Sequence, residues 1–273
     1  MKFTPRLPVW LAAALLAPVP TIAAHAQTVE GALSQITLYA DYMSQNYHET
    51  GGLDREIGTI PGAAVDLGYL APPISGLDNL YIGGEFQYND GNVKYHGFTL
   101  LTDEPINDTT STRIENGYAE IGKGFYVGSS NFMLVPTVFW GQRDWDRDLV
   151  GDDEDENYRT ERVGAALHAA LAVTDRITLL GRVGVYDTLS PDMQLTSDGE
   201  YLKFRQGSEP GVEAEAGLDV LVVGNWHLRG AVDINSFTFG QSNLVPISAT
   251  EGYREPSSGT TDVSVKVGIG YSF

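Results

Sequence analysis

Val263-Ser264-Val265-Lys266-Val267-Gly268-Ile269-Gly270-Tyr271-Ser272-Phe273 is the stretch on which the fold turns. Valine, isoleucine, tyrosine and phenylalanine hold every odd position, and Ser264, Lys266, Gly268, Gly270 and Ser272 hold every even one. Successive side chains of an extended strand point to opposite faces, so this order builds one apolar wall and one polar wall. A tilted strand of about ten residues crosses the hydrocarbon of a bilayer. Aromatic rings at its end suit the lipid–water interface. The segment reads as a membrane-crossing strand, with lipid on one side and a polar lumen on the other.

Tyr271 and the terminal Phe273 carry a resemblance: the segment is similar to the closing strand of bacterial outer-membrane β-barrel proteins of the small, porin-like kind. The resemblance implies an all-β, closed antiparallel transmembrane barrel in the outer membrane of a Gram-negative cell. It also implies that Tyr271 and Phe273 form the signal read by the barrel-assembly machinery. It points to no narrower family and transfers no other residues.

The opposite end agrees. Lys2 and Arg6 precede an apolar run at 9–17, and Ala24-His25-Ala26 is a small-residue cleavage site. That is the pattern of a secretory signal peptide over 1–26, leaving a barrel domain over 27–273. The run is far shorter than the roughly 20 apolar residues a spanning helix requires, and nothing later in the chain approaches that length. The leader at 27–34 is too short to serve as an appended peptidoglycan-binding module.

Composition narrows the class. There are 31 Gly, 14 Tyr and 10 Phe, with no Cys, so a disulfide scaffold and zinc–thiolate sites are excluded. Without Lys2 and Arg6, 15 basic residues face 36 acidic ones, a net charge of −21. Such a chain repels phosphate backbones, which disfavours a nucleic-acid partner. The expected partners are outer-membrane lipid, lipopolysaccharide and the assembly machinery, and the oligomeric state is left open.

Alternation and Gly, Asn, Asp and Pro clusters mark ten strands, at about 35–47, 58–70, 78–90, 113–127, 131–143, 158–173, 176–188, 210–223, 226–239 and 261–273. Connections alternate between long and short. Outer-membrane barrels have short periplasmic turns and long extracellular loops, so both termini are expected in the periplasm. Eight strands is the alternative count, reached by discarding the segments with Pro61 and Pro136, since proline is a poor central-strand residue.

One face of these strands carries apolar rows such as Val163, Ala165, Leu167, Ala169, Leu171 and Val173. The other carries the charges: Asp41, Asp66, Glu85, Glu120, Glu213, Glu215, Asp219 and Asp233 against Arg162, Arg182, Arg229 and Lys266, with His168 and His227 beside them. A ten-stranded barrel is close to the size that side chains fill, so cross-lumen ion pairs are expected to plug it. The acidic surplus would otherwise make a narrow, cation-preferring pore.

Asp144, Asp146, Asp148, Asp152, Asp153 and Asp155 crowd into an expected extracellular loop at 144–157. Alternate aspartates resemble the opening of a calcium loop. The required Gly and Glu positions are instead Leu149 and Asp155, so the loop reads as either solvated or a weak calcium or magnesium site. No other cofactor is expected. The histidines form no catalytic motif, and an outer-rim protease or lipid hydrolase is the third reading, behind a non-enzymatic surface protein and the narrow pore.

Overall fold

A computed structural model describes residues 29–52, 54–72, 78–98, 105–149, 154–197, 200–246 and 252–273; the expected signal peptide lies outside these residues. A short helix, α1 (Val29–Leu33), leads into β1 (Gln35–Glu49), β2 (Arg55–Leu70), β3 (Leu80–Phe98) and β4 (Pro105–Lys123). The short β5 (Phe125–Val127) precedes the long β6 (Ser129–Leu149), β7 (Glu154–Thr174) and β8 (Ile177–Ser197). Then come β9 (Glu200–Arg205), β10 (Pro210–Val223), β11 (Trp226–Phe239), the two-residue β12 (Val245–Pro246) and β13 (Gly252–Tyr253), and finally β14 (Ser258–Ser272).

Ten of these strands form one closed antiparallel barrel, in the order β1, β2, β3, β4, β6, β7, β8, β10, β11, β14. The circle closes where β14 pairs with β1, from Gln35↔Ser272 to Glu49↔Ser258. β5 prolongs the edge of β4 onto β6, and β9 folds back on β8 as a hairpin. Ten strands, not eight, is the observed count. The two prolines are accommodated because the ladder is already interrupted beside each. β2 and β3 are paired at Ile57↔Lys94 and again at Gly62↔Asn89, with no pairing recorded across Pro61. Beside Pro136, pairing with β4 ends at Gly122↔Thr137 and resumes through β5 at Phe125↔Leu134.

The two-residue rhythm is carried through in three dimensions. Along β1 buried and exposed residues alternate without a break. Outward rows include Ile36, Leu38 and Tyr42 on β1, Val183 and Val185 on β8, and Val265, Val267 and Ile269 on β14. Tyr69, Phe125, Tyr126 and Trp226 stand exposed at the short-turn end of this band, and Tyr42, Tyr88 and Trp140 at the other. Across the middle of this band the outward-facing described residues are uncharged, with Lys123 of β4 at its short-turn edge and Asp187 of β8 at the other.

The strands are longer than the band. β3, β4, β6, β7 and β8 have 19 to 21 residues, against the roughly 9–11 that span a bilayer. The expected loops at 91–112, 144–157 and 189–209 are therefore corrected: most of each is strand. Above the band the outward face no longer needs apolar groups. Residues such as Asp90, Asn92 and Lys94 stand there and read as turn signals, although Val93 and Tyr95 continue the inward row.

Within the short leader, α1 packs as a plug. Val29, Ala32 and Leu33 are buried against Leu70, Tyr81, Met133, Val135, Ala170 and Leu180 inside the short-turn end of the barrel. Ser34 fastens it: its hydroxyl accepts from the Leu70 N–H at 3.0 Å, and its carbonyl accepts from Phe273 N–H at 3.3 Å.

Candidate functional site

Among the described residues the buried charged and polar groups concentrate in the lumen, which divides into three tiers. At the short-turn end the α1 plug meets a chain of polar contacts along the closing seam. Asp219 Oδ1 lies 2.8 Å from His227 Nδ1, His227 Nε2 lies 3.1 Å from Ser272 Oγ, and Gln35 Nε2 donates to Asp219 Oδ2 at 2.7 Å. The order acid, imidazole, hydroxyl is that of a serine hydrolase. The stabilising donors are engaged elsewhere: the Ser272 N–H donates to Asn225 O and the Phe273 N–H to Ser34 O. An acyl-transfer intermediate needs such donors free and preorganised. This chain of contacts ties β10, β11, β14 and β1 together. A fluorophosphonate probe is accordingly expected to leave Ser272 unmodified by mass spectrometry. His227→Ala is expected to lower unfolding stability by about 2 kcal/mol, because it removes the imidazole that a buried carboxylate shares with Gln35.

The middle tier is ionic. Lys266 Nζ lies 2.6 Å from Glu85 and 2.9 Å from Asp233, and Arg229 lies 3.1 Å from Asp66. Arg182 reaches Glu213 at 2.5 Å and Glu120 at 3.5 Å, while Arg162 reaches Glu213 at 3.3 Å. His168 Nε2 stands 2.8 Å from Glu120. The guanidinium of Arg182 also lies over the rings of Tyr118 and Phe139, 4.6 and 5.1 Å from their centroids. Asp41 accepts from Gln87 at 2.8 Å and Asn89 at 2.7 Å, and Glu215 lines the residual space. Every residue of the expected lumen network thus faces inward, although the cations pair in several small groups. Cavities of about 20 and 40 Å³ lie among these described residues, each room for only a few waters at roughly 10–15 Å³ apiece.

The outer tier is aromatic and acidic. Arg147, 2 % exposed, lies 3.0 Å from Glu56 and 2.9 Å from Glu156, and over the rings of Tyr47, Tyr95 and Trp145. Trp145 stacks on Tyr158 at 4.9 Å. Two further buried carboxyls, Glu49 and Glu255, receive phenol hydrogen bonds from Tyr47 at 2.9 Å and Tyr158 at 3.0 Å. Burial pushes Glu49 up to about 7 and Glu255 well above the usual carboxylate range. Both lie beyond the apolar band. Lower down, Arg143 pairs with Asp262 at 2.9 Å.

Of the acidic stretch at 144–157, expected as a loop, solvated or weakly cation-binding, the described residues lie on β6 and β7. Asp144, Asp146 and Asp148 sit on β6 with outward side chains, while Arg143, Trp145 and Arg147 take the inward phase. Asp144 is bonded by Arg159 at 2.9 Å and Asn157 at 2.6 Å, and Asp146 pairs with Arg113. Asp155 lies on β7, and Asp152 and Asp153 lie outside the described residues. Alternation puts neighbouring aspartates on one wall of a sheet, where cross-strand arginines answer them; wrapping an ion needs a turning backbone. Sequence reading missed Arg143, Arg147, Glu49, Glu56, Glu156 and Glu255. For all but Glu255, which lies outside the strands, the signal was the same alternation, continued past the end of the apolar outward band.

The fold and site together define a closed ten-stranded antiparallel barrel with an uncharged outer belt and a lumen filled by side chains. No family model matches the chain, and no curated protein matches it in sequence. Among solved structures the chain is similar to the outer membrane protease OmpT from Escherichia coli, at a TM-score of 0.55 and 11 % identity over 88 % of this chain and 95 % of that one. It also matches the transport unit of the autotransporter AIDA-I from Escherichia coli, at a TM-score of 0.46 and 10 % identity over 96 % and 94 % of the two chains. The likeness to OmpT is one of barrel fold.

Proposed function

We propose that the chain is an integral outer-membrane barrel of a Gram-negative bacterium, with both termini in the periplasm, whose sealed cylinder anchors a tall, charged outer wall for contacts at the cell surface. The observation that carries this reading is the belt. Apolar outward rows on all ten strands, bounded by aromatic rims, suit hydrocarbon, where a mid-membrane lysine or arginine would cost roughly 2–4 kcal/mol. Three features support a sealed lumen: the α1 plug, the paired middle tier and the packed mouth. Lipid and lipopolysaccharide are the proposed neighbours of the wall, and Tyr271 with Phe273 the proposed assembly signal.

The test is twofold. Cell fractionation is expected to place the protein with the outer membrane, its 91–112 region reactive to antibody on intact cells and its N-terminus shielded. In planar bilayers the refolded full chain is expected to produce no unitary current steps. Reproducible cation-selective steps would replace the anchor by the narrow pore, and a soluble, periplasmic chain would remove the reading altogether.

A further inference from the structure

The outer mouth holds more buried acid than its cation can answer. Glu49 on β1, Glu56 on β2, Glu156 on β7 and Glu255 just after β13 are all at most 8 % exposed. Arg147 contacts Glu56 and Glu156 directly. Glu49 and Glu255 have phenol partners instead: Tyr47 donates to Glu49, Tyr158 donates to Glu255, and the two phenol oxygens lie 3.5 Å apart. The remaining polar groups around them are Asp54, before β2, with Tyr95 of β3 bonded to it at 2.7 Å, and Tyr253 on β13. Burying a carboxylate without a cation is costly enough that such a group takes up a proton.

Glu255 belongs to the segment that crosses the mouth, which is fastened at both sides. Ser242 and Glu255 exchange bonds, the Ser242 N–H donating to Glu255 O at 3.0 Å and the Glu255 N–H to Ser242 Oγ at 2.8 Å. Thr50 donates its N–H and its hydroxyl to Ser257 O, each at 2.8 Å. The ring of Tyr253 meets Phe204 edge-on at 5.8 Å.

We propose that residues 252–257 form a proton-locked strap: the Glu49–Tyr47–Tyr158–Glu255 chain holds them across the outer mouth while the two carboxyls are neutral, and releases them when both ionise. In the closed form these carboxyls bind protons more tightly than in the open, solvated form. Closure is therefore complete below the ordinary carboxylate range and is lost as pH rises through the values of the closed form. Glu49, pushed up to about 7 by burial, sets the onset of that loss near neutral pH. Opening would hydrate the mouth and free Glu255, leaving the α1 plug and the ionic middle tier in place. The inference stands whether or not the barrel's membrane location is confirmed.

The experiment is hydrogen–deuterium exchange of the refolded full chain in lipid vesicles, expressed as protection factors so that the intrinsic pH dependence of exchange is removed. Protection of residues 252–257 is expected to fall at least about tenfold between pH 5 and pH 8, the minimum for a carboxyl raised by more than one unit. Protection on β1 and β14 below the mouth should stay level. In a W10F/W140F/W226F background the emission of Trp145, stacked on Tyr158, is expected to shift to the red over the same range. The pair Glu49→Gln and Glu255→Gln keeps neutral acceptors and is expected to stay protected throughout. Tyr158→Phe, which breaks the chain, is expected to expose the strap at every pH. Protection unchanged from pH 5 to pH 8 in the parent chain, or the same pH-dependent loss in the double glutamine variant, would overturn the proposal.

Discussion

Lys266→Met is expected to be among the most destabilising single substitutions in the barrel, by about 3–5 kcal/mol. Lys266 is 2 % exposed and answers Glu85 and Asp233 at once. Methionine fills a similar volume, so little of the loss comes from packing. It comes from two carboxylates left in a lumen where ionised groups are poorly solvated. The check is urea unfolding in detergent micelles, followed by the loss of heat-modifiable gel mobility. Adding Glu85→Gln and Asp233→Asn should recover most of the deficit, since removing both sides of a buried pair is far milder than removing one. If Lys266→Met unfolds like the parent, the lumen is wetter than its small cavities imply.

The second large effect is expected at Gly268, which pairs with Tyr39 across the seam. A Cβ added there would stand 2.5 Å from Leu38 O and 2.6 Å from a carbon of the Tyr39 ring. The backbone carbonyl belongs to the ladder and cannot swing aside. Gly268→Val must therefore break pairing at the closing strand or drive the Tyr39 ring inward against Arg229 and Asp66. Overpacking of this kind typically costs 1–3 kcal/mol, and the lost seam bonds add to it. The expected result is a refolding yield cut several-fold. Val265→Ile, on the lipid side of the same strand, is the control and should refold like the parent.

Much of the architecture was legible because one rule governs it. Alternation in Val263–Phe273, repeated nine times upstream, placed ten strands and named the inward charges by residue. The same rule also explains where legibility stopped. Beyond the apolar band both walls of β3, β6 and β8 carry polar groups, so residues such as Asp90 and Asp144 resembled turn formers while being strand. Pairing partners were beyond reach as well. That Lys266 meets Glu85, 181 positions away, is set by barrel curvature and register, which no local pattern encodes. The plug stayed hidden because α1 is only five residues long and lies just ahead of the first strand, where a tail is the ordinary expectation.

The counter-ion for Glu85 of β3 and Asp233 of β11 is carried by β14. Until β14 is seated between β11 and β1, those acids have no lysine. Once it is seated, water must leave the interior at nearly the same moment. Contacts so distant in sequence are won late and slowly, so ring closure, desolvation and charge neutralisation merge into one concerted step. Without β14 the sheet would stay open and Glu85 and Asp233 would lack this cation, so one strand both closes the cylinder and balances its acids.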